Sequence, residues 1–402
     1  MKKFFKKTSR MKIALAALLL TASALFSSYN IIIPNTLSCY AGDALPQYFG
    51  AGADLPASVE TFSSGEDSVS TYTAQYKLFN MIPIKSVNVS VYKKTELYPG
   101  GMPFGVKFFT DGVIVTGYSD GTQNPAKAAG IRVHDVIISV NGKKITSAAQ
   151  LTDIANKSGG SELEIKYTHD GIERSAKLKP YYCEAESRYK TGLTVRDSGA
   201  GIGTVTYIVP ETGEFAGLGH GICDSETGKL IPIERGAVSG VSISGIVKGA
   251  VGAPGELKGY FKSGKTGSMI KNTDCGVYGV FTPCPSGIKP MQIGLKNELR
   301  EGEAYILCTL DNESGIGKYS INISNINLNA SAGKCFTVKV TDKALLAKTG
   351  GIVQGMSGSP IIQDGKIVGA VTHVMINDPT TGYGIFIENM LNAAQMPMAK
   401  AS

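Results

Sequence analysis

Ser357 stands in Gly355-Met356-Ser357-Gly358-Ser359-Pro360-Ile361, a serine between glycines and ahead of a proline. Glycine on both sides lets backbone N–H groups turn toward a reacting carbonyl while the hydroxyl stays exposed beside them, which is the requirement for acyl transfer through a serine nucleophile. Ser357 would attack, and the N–H groups of Gly355 and Ser357 would form the oxyanion hole. A serine also needs a base, and the chain has only His134, His169, His220 and His373. His220 lies in Gly217-Leu218-Gly219-His220-Gly221, where flanking glycines imply an exposed, closely approached imidazole. His373 follows the serine by 16 residues in an apolar strand and reads as a core or edge histidine. His134 and His169 fall in another module and read as surface residues. Two carboxylates compete to orient the base: Asp342, 15 residues before the serine at the end of Val338-Lys339-Val340-Thr341-Asp342, and Asp224, four residues after His220 in a turn. Spacing does not separate them.

The elements that must position these groups are strands. After the serine come two strand-like runs, 361–363 and 366–371, separated by Asp364-Gly365, the strongest short hairpin signal. A nucleophile loop that feeds a tight antiparallel hairpin fits a double β-barrel, whereas a nucleophile elbow of an α/β-hydrolase would need a helix there. A second hairpin, 202–209 and 215–218 around Glu211-Thr212-Gly213, leads to His220. With 49 glycines, 17 prolines and no tryptophan, the chain predicts many turns and short strands, and thus a mainly β fold. Gly199-Ala200-Gly201-Ile202-Gly203 lacks a strand-turn-helix context for holding phosphate and reads as an interdomain turn.

The formal charge of +7 does not indicate a nucleic-acid partner, because Lys2, Lys3, Lys6, Lys7, Arg10 and Lys12 supply six of the positive charges before the first apolar run. That basic segment, 1–12, precedes 13–33, whose 21 residues are long enough to span a bilayer with the basic end held inside. The competing reading is a cleaved signal peptide with Ala22-Ser23-Ala24 as its cleavage site, and both readings export the body. The resumption of the apolar run at Ile31-Ile32-Ile33 favours a retained anchor. The seven cysteines, Cys39, Cys183, Cys223, Cys275, Cys284, Cys308 and Cys335, contain no Cys-x-x-Cys pair, so no metal site is expected. Cys275 and Cys284 are the nearest candidates for a disulfide.

Residues 34–96 alternate polar and β-branched side chains and read as membrane-proximal strands. From 97 to 182 the pattern changes: Met102-Pro103-Phe104-Gly105-Val106-Lys107-Phe108 reads as a loop entering a strand, and Asp135-Val136-Ile137-Ile138-Ser139-Val140-Asn141-Gly142 follows a small-residue run. This resembles a PDZ domain. Its groove helix starts at the Ser147/Gln150 capping box and carries Leu151. Such a groove adds a peptide as an extra strand, so Phe104, Gly105, Val106 and Leu151 are the candidate peptide-binding residues. Residues 189–397 remain for the catalytic unit.

Gly219-His220-Gly221, the run from Thr349-Gly350-Gly351 to Gly358-Ser359-Pro360, and Thr372-His373-Val374 through Asn377-Asp378-Pro379 together resemble the stage IV sporulation protein B family, PDZ-containing serine peptidases of endospore-forming bacteria. The resemblance covers nearly the whole chain in module order. It implies a trypsin-like double β-barrel with His220 as general base, Asp342 as its orienting carboxylate and Ser357 as nucleophile, and no cofactor. It further implies a membrane-anchored endopeptidase in the forespore membrane, facing the intermembrane space. Its substrate would be a membrane-bound regulatory protein, whose cleavage activates an intramembrane metalloprotease and sigma-factor processing. Self-cleavage, with the PDZ domain holding the chain's own N-terminal segment, is implied as well. The alternatives are a PDZ peptide-binding protein with an inactive protease-like scaffold, or an envelope quality-control serine protease.

Overall fold

A computed structural model of the chain describes residues 2–54, 69–119, 124–224 and 228–395. Residues 55–68 of the expected membrane-proximal strands, the centre of the turn that Asp224 opens (225–227) and the last residues assigned to the catalytic unit (396–397) lie outside the described residues. Helix α1 (Lys2–Ile32) contains an apolar window, Leu15–Ile32, whose 18 residues rise about 27 Å, close to the thickness of a bilayer's hydrocarbon core. It enters a four-stranded sheet, ordered β1-β4-β3-β2, made of β1 (Thr36–Tyr40), β2 (Ala51–Gly52), β3 (Val69–Leu78) and β4 (Ile82–Tyr92). Alternation along β4 buries Val87, Val89 and Val91 against Leu37, Tyr76 and the last turn of α1. The module is tied to the C-terminal helix: Ser38 Oγ donates to Glu388 at 2.7 Å and Tyr92 to Asn392 at 3.0 Å.

Next come β5 (Glu96–Pro99) and a 16-residue strand, β6 (Pro103–Tyr118). The PDZ unit then runs through α2 (Pro125–Ala128), β7 (Val136–Val140), β8 (Lys143–Lys144), α3 (Ala148–Lys157), β9 (Leu163–His169) and β10 (Ile172–Leu178). Its core is Val113, Val115, Ile137, Ile145, Leu151, Leu163 and Ile165. Gln150 N–H donates to Ser147 Oγ at 3.2 Å, the side-chain cap expected at the start of α3. After the short hairpin β11 (Tyr181–Cys183) and β12 (Arg188–Lys190), the chain forms β13 (Leu193–Ile208), β14 (Glu214–Gly217), β15 (Ile233–Val247), β16 (Glu256–Phe261), β17 (Gly267–Thr273) and β18 (Gly276–Phe281).

Pairings β6–β15, β15–β17, β17–β18, β18–β14, β14–β13 and β13–β6 close a ring, so the first barrel takes one of its staves from β6. β19 (Met291–Gln292) leads to the second closed barrel, β20 (Gly302–Thr309), β21 (Ile316–Ser324), β22 (Phe336–Val340), β25 (Asp378–Phe386), β24 (Lys366–Met375) and β23 (Pro360–Gln363). Helix α4 (Lys343–Thr349) joins β22 to the serine loop, and α5 (Ile387–Gln395) ends the described chain. The fold is mainly β, with a PDZ domain and the expected double β-barrel. At the β23–β24 turn, Asp364 and Gly365 have φ of 50° and 75°, the left-handed pair that a two-residue hairpin needs.

The shared strand corrects the expected PDZ groove. The first half of β6 is bonded on both edges, with Gly105 opposite Ile202 on one side and Ser239 on the other. Phe104 and Val106 point into the first barrel, where Phe104 meets Phe215 edge-on at 5.5 Å, and the ring of Phe261 covers Gly105. Leu151 sits in the separate PDZ core. No free strand edge remains at Phe104–Val106 for a peptide. Residues 199–203, expected to be a turn, are the middle of β13. Because Phe104 is 2% exposed, Phe104→Ala is expected to cost about 3–5 kcal/mol, read as a lower denaturation midpoint of the whole peptidase rather than a selective loss of peptide binding.

Candidate active site

Local structure brings Ser357 and His220 to the seam between the barrels. β14 runs out of the first barrel into Leu218-Gly219-His220, with Leu218 and Gly219 both at positive φ. α4, closed by the left-handed Gly350, delivers Ser357 just ahead of β23 of the second barrel. Both side chains line a cleft of about 420 Å³, together with Leu218, Val353, Thr372 and His373.

The serine loop is held from the opposite barrel. Thr204 N–H donates to Ser357 O at 2.9 Å, Thr204 Oγ1 to Gly355 O at 2.7 Å, and Thr206 Oγ1 to Gly358 O at 2.8 Å. The approach is so close that a Cβ on Gly358 would lie 2.0 Å from Thr204 O and 2.4 Å from Leu218 N, and Gly358 also has φ of 95°. Only glycine fits there. Within the loop the amides of Met356, Gly358 and Ser359 donate to Val353, Val371 and Met356. Among the described residues no group accepts from the amides of Gly355 or Ser357. These are the two donors expected to hold an oxyanion, and they remain available to one.

His220 Nδ1 lies 2.9 Å from Gly221 O. A carbonyl only accepts, so Nδ1 carries the proton and Nε2 keeps the lone pair that a general base needs. Burial lowers the His220 pKa below its ordinary value, with the Gly221 carbonyl opposing, which favours the neutral ring. Ser357 Oγ donates to Thr372 O at 2.6 Å. For Ser357 to act as a nucleophile with His220 as its base, the hydroxyl would have to rotate from that carbonyl to His220 Nε2. His373, which the sequence placed in a core or edge strand, faces the site instead: its ring lies 4.6 Å from that of His220, tilted by 34°. Desolvation, then the neighbouring His220 and Lys334, push its pKa down to about 4.

Asp342 does not hydrogen-bond His220. It is the N-cap of α4, accepting from Leu345 N–H at 2.8 Å and from Ser320 N–H at 3.4 Å. An aspartate at the end of a strand and the start of a helix has a capping task whether or not it also serves chemistry. The other candidate, Asp224, pairs with His134 of the PDZ unit at 3.3 Å, and nearby Lys229 pairs with Asp170. His134 is therefore an interface residue. His169 is likewise engaged, 2.5 Å from the buried Asp135. All seven cysteines are free, Cys275 and Cys284 included, and no cluster of metal-ligating side chains occurs among the described residues. Sequence reasoning missed Thr204, Thr206, Thr372 and His373. The alternating Thr204-Val205-Thr206 at the end of a strand was the available signal, because alternate polar residues on a buried strand need partners.

The SpoIVB peptidase S55 family matches residues 187–391, just over half of the chain, and the PDZ domain family matches residues 100–179. The chain belongs to the SpoIVB peptidase S55 family. It is a PDZ-containing serine endopeptidase. Among solved structures, it is similar to the PDZ domain of the SdrC-like protein Lmo2051 from Listeria monocytogenes, at 23% identity over 21% of this chain and 87% of that one, TM-score 0.19. It is also similar to Rv3671c from M. tuberculosis in an inactive form, at 13% identity over 49% and 84% of the two chains, TM-score 0.27. A second inactive form of the Rv3671c protease matches at 14% identity over 48% and 82%, TM-score 0.26. No curated protein matches the chain.

Two pairs of variants test how the site is held. Thr206→Val preserves shape but leaves the Gly358 carbonyl without its donor, so about 1–3 kcal/mol of stability is expected to be lost, with Thr206→Ser restoring most of it in the same denaturation series. Asp342→Ala should cost about 0.5–2 kcal/mol through the lost cap, whereas Asp342→Asn keeps a capping oxygen and should stay within about 0.5 kcal/mol of the parent. Denaturation midpoints of the paired variants separate capping from any role in turnover.

Proposed function

We propose that this serine endopeptidase is held in a membrane by α1 and cleaves a membrane-bound regulatory protein, with Ser357 as nucleophile and His220 as general base. The observation that carries the assignment is the convergence, in one cleft, of a serine hydroxyl, an imidazole with its Nε2 lone pair available, and the uncommitted amides of Gly355 and Ser357. The steps follow from that arrangement. Ser357 Oγ turns to His220 Nε2 and attacks the scissile carbonyl as the proton passes to Nε2. The two amides hold the oxyanion, and His220 returns the proton to the leaving amine. Water repeats the sequence to release the acyl group.

The Gly221 carbonyl fixes the tautomer, a task the family resemblance gives to Asp342. A neutral carbonyl stabilises the imidazolium less than a carboxylate would, so the assignment of Asp342 as orienting acid requires its carboxylate, which lies at the α4 cap, to reach His220 during turnover. The resemblance also supports a place in spore formation: cleavage on the intermembrane face of the forespore membrane, activation of an intramembrane metalloprotease and sigma-factor processing. Self-cleavage would fall between α1 and the PDZ unit. The PDZ unit meets the catalytic unit on the segment that follows His220, through His134–Asp224 and Asp170–Lys229, which supports a role in coupling partner binding to the base loop. Holding the chain's own N-terminal segment would need a PDZ edge other than Phe104–Val106.

An inactive scaffold is the second reading, favoured by the Ser357 hydrogen bond to Thr372 O. A fluorophosphonate probe decides between them: labelling of the parent and none of Ser357→Ala supports the peptidase, while an unlabelled, folded parent supports the scaffold. Because the depressed His220 pKa keeps the base neutral to lower pH, the acid limb of kcat/KM is expected below pH about 6.5, with activity lost as pH falls further.

A further inference from the structure

The membrane-proximal module carries apolar side chains that neither catalysis nor the PDZ unit uses. Phe49 is 79% exposed, Phe79 69%, Met81 76% and Ile82 54%. They lie on two turns that touch, with Ile82 opening β4 directly after the second: Phe79 N–H donates to Gly50 O at 3.0 Å, and the Phe79 ring borders Gly50. Phe49 and Phe79 have φ of 46° and 48°. Bulky residues are rare in this left-handed region, and a tight hairpin turn would ordinarily hold asparagine or glycine there. Two aromatic rings are thus kept facing outward at positions that disfavour them.

Their level relative to α1 identifies what covers them. Tyr29, in the last turn of α1, and Ile33, just after it, are buried in the module core, so the helix leaves the module at a fixed point. The Tyr29 hydroxyl donates to Phe49 O at 2.7 Å, which sets the first turn level with the last turn of the apolar window Leu15–Ile32. Lys85 Nζ donates to Asn30 O at 2.8 Å and Ile33 O at 2.5 Å, closing the same helix end where headgroups begin. Residues 76–85 contain two lysines and no acidic residue, as suits a surface that meets lipid headgroups.

We propose that Phe49, Phe79, Met81 and Ile82 insert into the bilayer interface beside α1, so that the chain sits on the lipid surface through a built patch as well as hanging from a helix. This rests on the reading of α1 as a retained anchor. The anchor and the patch together would fix the height of the module above the membrane, and with it the reach of the cleft toward a membrane-bound substrate.

The chain contains no tryptophan, so a single introduced one reports its surroundings directly. Full-length Phe79→Trp, and separately Met81→Trp, whose backbone is unstrained, are reconstituted in phosphatidylcholine vesicles with brominated acyl chains. Tyr260→Trp, on β16 of the peptidase and 62% exposed in the parent, is the reference. The expected result is co-flotation of all three with the vesicles, a blue-shifted emission for the tryptophans at 79 and 81, and loss of most of their intensity relative to unbrominated lipid, with the reference unchanged. Co-flotation with equal, unquenched emission overturns the patch while leaving the anchor intact. A blue shift without bromine quenching, accompanied by a doubled mass in detergent, assigns the patch to a second copy and also overturns the proposal. Failure to float overturns anchor and patch together.

Discussion

The hydrogen bonds from β13 to the serine loop are the constraint on which the rest of the molecule depends. Thr204 and Thr206 belong to the first barrel and hold Gly355, Ser357 and Gly358 ahead of the second. A loop that must present a hydroxyl and two unsatisfied amides cannot use all of its own amides for internal bonds, so its carbonyls are held from outside instead. The consequence is that neither barrel contains a complete site. His220 comes from one and Ser357 from the other, and the cleft they share lies at the seam between them.

The same strand ties the PDZ unit to catalysis. β13 begins beside the PDZ core, where Leu193 and Val195 pack, and ends at the serine loop, pairing along its length with β6, which is both a PDZ strand and a barrel stave. Two sequence-local units are therefore one continuous sheet. The PDZ unit also touches the loop that follows His220, through His134 and Asp224. At the other end of the molecule, Glu388 at the start of α5 links the membrane-proximal sheet to the second barrel. Burial pushes its carboxyl up to about 7, with the Ser38 hydroxyl and Lys296 N–H only partly opposing.

Much of this was legible in the residues. The Asp364-Gly365 hairpin, the strand pair leading to His220, the capping serine of α3 and the apolar α1 are all local: each depends on a turn conformation, an alternation or a cap that neighbours along the chain decide. The serine and its glycines were legible for the same reason, since an exposed hydroxyl between left-handed glycines is a local requirement. What sequence could not show is which chains of contact these elements enter. Phe104, Gly105 and Val106 have the alternation of a half-open groove, and only the closure of the first barrel around β6 turned them into its interior.

Asp342 and His373 mark the same boundary within the site. Counting residues placed Asp342 near the serine and His373 in a strand, and both statements hold along the chain. Side-chain direction is another matter, set by where β22 hands over to α4 and where β24 shifts register between Val371 and Val374. That handover points the carboxylate at a helix end, and that shift lies where an imidazole faces the cleft beside His220. The sequence by itself determined the modules, the serine loop with its flanking glycines and the hairpin that leads to His220, because those follow from short-range backbone geometry. The tertiary structure alone decided which groups meet across the seam, because hydrogen bonds between barrels join residues that are more than a hundred positions apart, as Thr206 and Gly358 are.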